Sequence, residues 1–377
     1  AHGQALGLFM NRSRQISVAG SHGKSTTTAM IATILHRAGS DPSYAIGSGM
    51  VKGLGLPGHF GKGLWFVAEA DEYVTDPEGD LTPRFLWQNP EILVLTNIDF
   101  DHPDVYGSIE DVKVAFQKLV NKLPHNGELV VNADDAQVRE MLAPFDTATT
   151  TVGTSSKAGI MISGIHFTEE RTYFSLENQD VVLGEFMLGV PGKHNVHNAA
   201  LAAIATHAAG VDWKNIRVGL SDFGGAKRRF EKIAVWGTTI FYDDYAHHPT
   251  EIIATLSSAR AWYPKRRIIG IFQPHTYSRT KALMNDFAGA FSDADIAITT
   301  DIYPSAREHN SLGITGVTLA QLLATRHIRA HYARTKNDVS SYLRSIIRDG
   351  DVVVFMGAGD IYQWGREIIT RIKNKEL

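Results

Sequence analysis

The stretch AGSHGKSTTTAMI, Ala19 to Ile31, constrains the fold more than any other feature of the chain. A short apolar run at residues 16–19 passes through a glycine turn ending Gly-Lys-Ser into a helical pattern over residues 25–38. Backbone N–H groups at a helix start collect phosphate oxygens, a lysine neutralises their charge and a hydroxyl reaches a magnesium ion. Such a cradle needs a strand, a loop and a helix in that order. The spacing departs from G-x-x-x-x-G-K-[ST]: Val18 stands where the first glycine belongs, that glycine is Gly20, and His22 lies between Gly20 and Gly23. The competing reading is a glycine-rich turn carrying a solvated lysine.

Further strands and helices alternate around this loop. Continuous apolar runs at 64–68, 92–96 and 128–132 predict buried strands, and 111–123 predicts an amphipathic helix. Between 151 and 190 short strands at 160–163, 173–176 and 181–188 follow one another without helices, which predicts an antiparallel patch. A helix is expected from 197 to 209. A second alternating block then sets strands at 239–242, 268–272, 296–300 and 352–356 against helices at 249–261 and 280–290. The expected fold class is α/β: a P-loop ATPase domain with a mostly parallel sheet and a small antiparallel patch, then a Rossmann-like α/β domain. The break falls near Gly224-Gly225, a plausible hinge. The expected domains are therefore residues 12–223 and 224–377, with 1–11 as a linker or the remnant of a preceding domain.

The chain has 377 residues, 44% hydrophobic and 20% charged, enough for two or three domains with real cores. A net charge of −3 predicts neither a nucleic-acid partner nor a basic membrane-surface role. With no cysteine, disulfides and thiolate metal sites are excluded, and a metal must take carboxylate, hydroxyl or imidazole ligands. No apolar run predicts membrane insertion, and a cytoplasmic location is expected.

Polar residues collect where strands end. FVAEADEY places Glu69, Asp71 and Glu72 after one strand, either as magnesium ligands or as a solvated turn. LTNIDFDHPDVY places Asn97, Asp99, Asp101, His102 and Asp104 after another; the two together suggest one or two divalent ions holding ATP phosphates. In VPGKHNVHNAALAA, His194, Asn195 and Asn198 precede an Ala-rich helix as caps or as ligand contacts. YDDYAHHPTE offers Asp244, Tyr245, His247 and His248 for acid–base, stacking and hydrogen-bonding work, and FQPHTYSRT offers Arg279 as a bidentate clamp for a carboxylate. FMGAGDI, 355–361, reads as a tight turn before the last helix. These residues describe a magnesium-dependent ATP-binding protein without choosing among kinase, ATPase and ligase.

Taken in order, these stretches resemble the Mur ligase family. SHGKST resembles its shortened G-x-x-G-K-[ST] loop, AEADE its metal-binding glutamate, TNIDFDH its asparagine–histidine motif and PGKHNVHN its adenine-contacting segment; KRRFE, DDYAHHPTE and FQPHTYSRT are similar to its alanine-adding branch. The resemblance covers the chain from about residue 12 to its end. It implies ATP-driven amide ligation through an acyl phosphate, with ATP, L-alanine and UDP-N-acetylmuramate as substrates and one or two Mg²⁺. It implies ATP binding by Gly20, Ser21, His22, Gly23, Lys24, Ser25, Thr26, His194, Asn198, Arg229, Asp244 and Tyr245. Ser25, Glu69 and His102 are the implied metal ligands. His247, His275 and Arg279 belong to the alanine and acyl-phosphate side, and Lys24, His247 and Arg279 are the implied catalytic set. His22 is assigned to shaping the loop. Several family members carry a carbamylated lysine about fifteen residues past the metal histidine; that count lands on Gln117, beside Lys118, and no carbamate is expected.

The family sets a UDP-binding domain ahead of the phosphate loop. This chain opens AHGQALGLFM and reaches its first strand by residue 16. It is therefore expected to bind Mg-ATP but to ligate poorly. The rival readings are a murein tripeptide-recycling ligase, a folylpolyglutamate-type ligase, and a non-catalytic ATP-binding regulatory module.

Overall fold

A computed structural model describes residues 2–102, 104–143, 149–304, 308, 311–326 and 329–374. They form two compact units, residues 1–227 and 228–377.

The first unit is built on strands buried on both faces. Its elements are α1 (His2–Met10), β1 (Arg14–Ala19), α2 (Lys24–Arg37), β2 (Ser43–Ala45), β3 (Gly58–His59), β4 (Trp65–Glu69), β5 (Val74–Asp76), β6 (Asp80–Pro83), β7 (Ile92–Leu95), α3 (Ile109–Val120), β8 (Glu128–Asn132), α4 (Ala136–Leu142), β9 (Thr149–Gly153), β10 (Ile160–Thr168), β11 (Arg171–Asn178), β12 (Val181–Leu188), α5 (Lys193–Ala208) and α6 (Trp213–Asp222). Among the described residues ten strands form one sheet, in the order β12-β11-β10-β9-β8-β7-β1-β4-β2-β3. From β2 to β10 the neighbours are parallel. β10, β11 and β12 make the expected antiparallel patch.

Because side chains alternate across a strand, each central strand feeds two cores. Ile16, Val18, Ile92 and Val94 pack with α2, α5 and α6 on one face. Leu93, Leu95, Leu129 and Val131 pack with α3 and α4 on the other. α5, rich in alanine, is buried along most of its length.

The second unit comprises β13 (Glu231–Trp236), β14 (Thr239–Asp244), α7 (Pro249–Trp262), β15 (Ile268–Phe272), α8 (Tyr277–Ala282), α9 (Met284–Gly289), β16 (Ile296–Thr299), α10 (Gly316–Ala324), β17 (Arg329–Tyr332), α11 (Lys336–Ile346), β18 (Val352–Met356) and α12 (Ile361–Asn374). Its sheet runs β13-β14-β18-β15-β16-β17, parallel except for β13 at the edge. Strands β14, β15 and β18 are buried throughout. β18, last in sequence, lies between β14 and β15, so the strand order reverses there; in open α/β sheets ligands bind beyond the strand ends at such points.

Two expectations are corrected. The helix expected over 280–290 is two short helices that meet at Leu283, whose backbone leaves the helical region. The Ala-rich helix begins at Lys193 rather than 197, with Gly192 at φ 97 as its N-cap. His194, Asn195 and Asn198 are therefore inside the helix and make none of the caps considered for them.

Candidate functional site

Glycine is required at both turns of the 20–23 loop. Gly20 has φ +132, and a Cβ there would stand 2.1 Å from Thr96 Oγ1. Gly23 has φ +84, and a Cβ would stand 2.6 Å from the Asn198 side-chain oxygen. The polar residues after β7 then grip the loop. Asn97 accepts from the His22 amide through Oδ1 at 2.8 Å and donates to the His22 carbonyl through Nδ2 at 2.9 Å. Thr96 Oγ1 donates to the same carbonyl at 2.6 Å, and Ser21 Oγ bonds both the amide and the carbonyl of Asp99. His22 is thus held by its backbone, and its ring lies 3.3 Å from Asp99. Among the described residues no side chain caps α2. Its first N–H groups are of the kind that binds an anion.

Lys24 turns back over this loop. Its ammonium donates to the carbonyls of Gly20 and Ser21, at 2.6 and 3.1 Å, and to both oxygens of Glu72, at 3.0 and 2.9 Å. Burial alone would lower the Lys24 pKa; the carboxylates of Glu72, Asp71 and Glu69 outweigh it and hold the ammonium charged. Each acid of the AEADE run has its own partner: Asp71 pairs with Arg84 at 2.8 Å, Glu69 accepts from the Gly47 amide at 2.6 Å, and Glu72, buried, takes Lys24. His102, in the left-handed region at φ 59, sets Nε2 3.8 Å from Glu72 and stacks edge-on against Tyr73.

Glu72 therefore stands beside both Lys24 and His102, a role the sequence did not single out. Three carboxylates in four residues announce an acidic strand end but not which of them turns inward. Hydroxyl, carboxylate and imidazole donors are present at Ser25, Glu69, Glu72 and His102, and the oxygen donors among them suit magnesium.

α5 brings Asn198 to this loop and buries it, in line with Asn195, which donates to the Pro191 carbonyl at 2.6 Å. His194 is exposed on the first turn. On α3, Gln117 is half-buried and Lys118 exposed.

In the second unit β14 ends in two buried acids with different surroundings. Asp244 accepts from the Phe230 and Ala246 amides, both at 2.7 Å. Burial pushes its pKa up to about 6 against the pull of Arg229 and those amides. Asp243 has no hydrogen-bond partner on either oxygen among the described residues. Burial pushes it up to about 7, opposed by Arg228.

Tyr245 carries the Arg228 and Arg229 guanidinium carbons 4.9 and 5.3 Å from its ring centroid. His247 Nδ1 lies 3.0 Å from the Tyr245 carbonyl and 3.1 Å from Glu251. His248 accepts from the Thr250 amide and closes a capping box with Glu251 at the start of α7. The three residues implied for the amino-acid side come together: His247 and His275 have ring centroids 6.3 Å apart, and Arg279 lies 3.5 Å from His275 Nδ1. Burial, then Arg279, lowers the His275 pKa and favours the neutral imidazole.

Comparison with known proteins bears on both units. Residues 18–206 match the Mur ligase middle domain, and residues 228–359 match the Mur ligase, glutamate ligase domain. The chain is 39% identical over 366 residues to the UDP-N-acetylmuramate--L-alanine ligase of Desulfitobacterium hafniense (strain Y51), covering 97% of this chain and 79% of that one. Among solved structures it is similar to the UDP-N-acetylmuramate-alanine ligase of Thermotoga maritima, with a TM-score of 0.80 at 26% identity over 99% of this chain and 78% of that one. It is also similar to a murein peptide ligase from Psychrobacter arcticus 273-4, with a TM-score of 0.70 at 25% identity over 99% and 80% of the two chains. The chain belongs to the Mur ligase family.

Proposed function

We propose that the protein is an ATP-dependent ligase of peptidoglycan precursor synthesis, working in the cytoplasm. It joins L-alanine to the carboxyl group of UDP-N-acetylmuramate and releases ADP and phosphate. The observation that carries the reading is the 20–26 loop: two glycines that admit no side chain, a lysine held charged, and an uncapped helix start. The substrates are those in the name of the D. hafniense relative. Among the described residues no helix is long and apolar enough to cross a membrane.

The proposed division of labour gives residues 12–223 the phosphates of ATP, and residues 224–377 the amino acid together with part of the nucleotide. The loop amides and Lys24 hold the β- and γ-phosphates, the ammonium exchanging Glu72 oxygens for phosphate oxygens. Ser25 and Glu69 would hold one Mg²⁺ and His102 would contribute to holding a second; such ions would supply charge neutralisation on the phosphates. His194 and Asn198 are the proposed adenine contacts of the first unit, and Tyr245, Arg229 and Asp244 the proposed nucleotide contacts of the second. A muramoyl carboxylate oxygen attacks the γ-phosphorus and ADP leaves. The alanine amine, its carboxylate paired with Arg279, then attacks the acyl carbon, and phosphate departs as the amide forms. The proposed acceptor of the proton the amine sheds is neutral His275, with His247 beside it.

The test is phosphate release by the full chain with ATP, UDP-N-acetylmuramate and a panel of amino acids and peptides. Slow release that needs all three substrates and is fastest with L-alanine is expected. Faster release with an L-alanyl-γ-D-glutamyl-diaminopimelate tripeptide would move the reading to the peptide-recycling branch, which the likeness to the P. arcticus ligase keeps in view.

A further inference from the structure

Arg228 has no part in the roles given so far, yet it joins more segments of the second unit than its neighbours do. Its backbone is in the left-handed region at φ 62, a conformation that is costly for a non-glycine residue and persists where surrounding contacts determine it. Those contacts are present. The Arg228 amide donates to Glu231 at 3.0 Å, and its carbonyl accepts from the Tyr245 amide at 2.8 Å. Nη2 donates to the Gly357 carbonyl at 2.6 Å. The guanidinium carbon lies 4.3 Å from the Tyr362 ring centroid and 4.9 Å from that of Tyr245. Nε faces Asp243 at 3.6 Å without a hydrogen bond. One residue thus ties the start of the unit, the loop after β14, the glycine turn after β18 and the first turn of α12.

We propose that Arg228 is a positioning residue for the purine nucleotide: braced on Tyr362 and Gly357, it fixes the Tyr245 ring and the backbone that presents Arg229. The inference rests on the nucleotide role given above to Tyr245 and Arg229. A planar guanidinium can lie on a ring while donating in its own plane to a carbonyl, which an ammonium cannot reproduce. A lysine at 228 keeps the charge beside Asp243 and loses the brace.

The experiment measures Mg-ATP affinity by calorimetry, kcat, separate KM values for ATP and L-alanine, and the thermal midpoint. The full chain is compared with Arg228→Lys, Tyr362→Phe and Tyr362→Leu. Arg228→Lys should weaken Mg-ATP binding and raise the ATP KM about tenfold. The kcat, the alanine KM and the thermal midpoint should stay near those of the unsubstituted chain. Tyr362→Phe, which keeps the ring, should behave as the unsubstituted chain, and Tyr362→Leu should weaken ATP binding about threefold. Should Arg228→Lys fail to fold, the Tyr362 pair decides the question. Unchanged ATP affinity in Arg228→Lys and Tyr362→Leu overturns the inference and leaves the proposed function standing. A lower thermal midpoint with kcat and both KM values worsening together overturns it in favour of a purely structural brace. Failure of the unsubstituted chain to bind Mg-ATP removes the proposed function, and this inference with it.

Discussion

Each unit sets a cation beside a buried carboxylate near the end of a parallel strand, and the two pairs are built differently. Lys24 meets Glu72 through both carboxylate oxygens at about hydrogen-bond length, and two loop carbonyls share the ammonium. Arg228 stands 3.6 Å from Asp243, out of hydrogen-bond range, and is held by two aromatic rings and a carbonyl. An ammonium is a compact charge that has to be met by oxygens, so Lys24 offsets part of the cost of burying Glu72, although burial still raises the Glu72 pKa. A guanidinium can be held by ring faces, so it can neighbour a carboxyl without bonding it, and Asp243 stays desolvated and near neutrality in its pKa. The first pair is suited to exchange: phosphate oxygens can replace the carboxylate oxygens around Lys24 like for like. The second is suited to bracing, since no incoming oxygen reproduces two rings.

The largest effect is expected at the exchangeable pair. Lys24→Met should cut the proposed ATP-dependent phosphate release by about 10²–10³-fold. It also leaves Glu72 buried without its cation, which should destabilise the chain by about 3 kcal/mol in chemical denaturation. Adding Glu72→Gln to Lys24→Met should restore most of that stability and none of the turnover. Turnover that survives Lys24→Met would take the phosphate role away from the loop and with it the idea of an exchangeable pair.

A smaller effect is expected where the loop is gripped. Asn97→Ala removes two hydrogen bonds to His22, one to its amide and one to its carbonyl. Thr96 still serves the carbonyl, so the amide is the group left unsatisfied. We expect a loss of about 2 kcal/mol in stability and about tenfold in Mg-ATP affinity, read by denaturation and calorimetry. Weakened binding without lost stability would mean that Asn97 touches the nucleotide rather than shaping its cradle.

The reach of the sequence can be seen in these same residues. Strands β8, β15 and β18 were legible to the residue because runs such as IIGIF and VVVFM are buried on both faces. β9 and β17, TTTVG and RAHY, were not expected as strands: their polar side chains carry no such run, and pairing with a neighbouring strand determines them. The break at Leu283 also escaped, since LMND contains no helix breaker. The glycine loop was legible because its turns exclude other residues. What burial decides was not legible: which carboxylate of AEADE turns toward Lys24, and that Arg228 reaches Tyr362 far along the chain.

The smallest expected effect tests the bracing pair by its protons. The folded-state pKa of Asp243 is raised to about 7, against about 3.9 for an unfolded aspartate. Between those values the folded chain holds a proton that the unfolded chain releases, so this group's contribution to stability is complete below about pH 4 and is lost as pH rises through 7. Asp244, raised to about 6, adds a slope of the same sign. Asparagine at 243 imitates the protonated acid beside the groups that face it, Arg228, Asp244, Glu231 and Arg366. Denaturation of Asp243→Asn across pH 4–8 should therefore show a flatter profile than the parent, with the variant more stable at pH 8 by on the order of 1 kcal/mol. A variant less stable at pH 8 would mean that Asp243 is ionised and pairs with Arg228 much as Glu72 pairs with Lys24. The contrast between the two would then be one of distance rather than of kind.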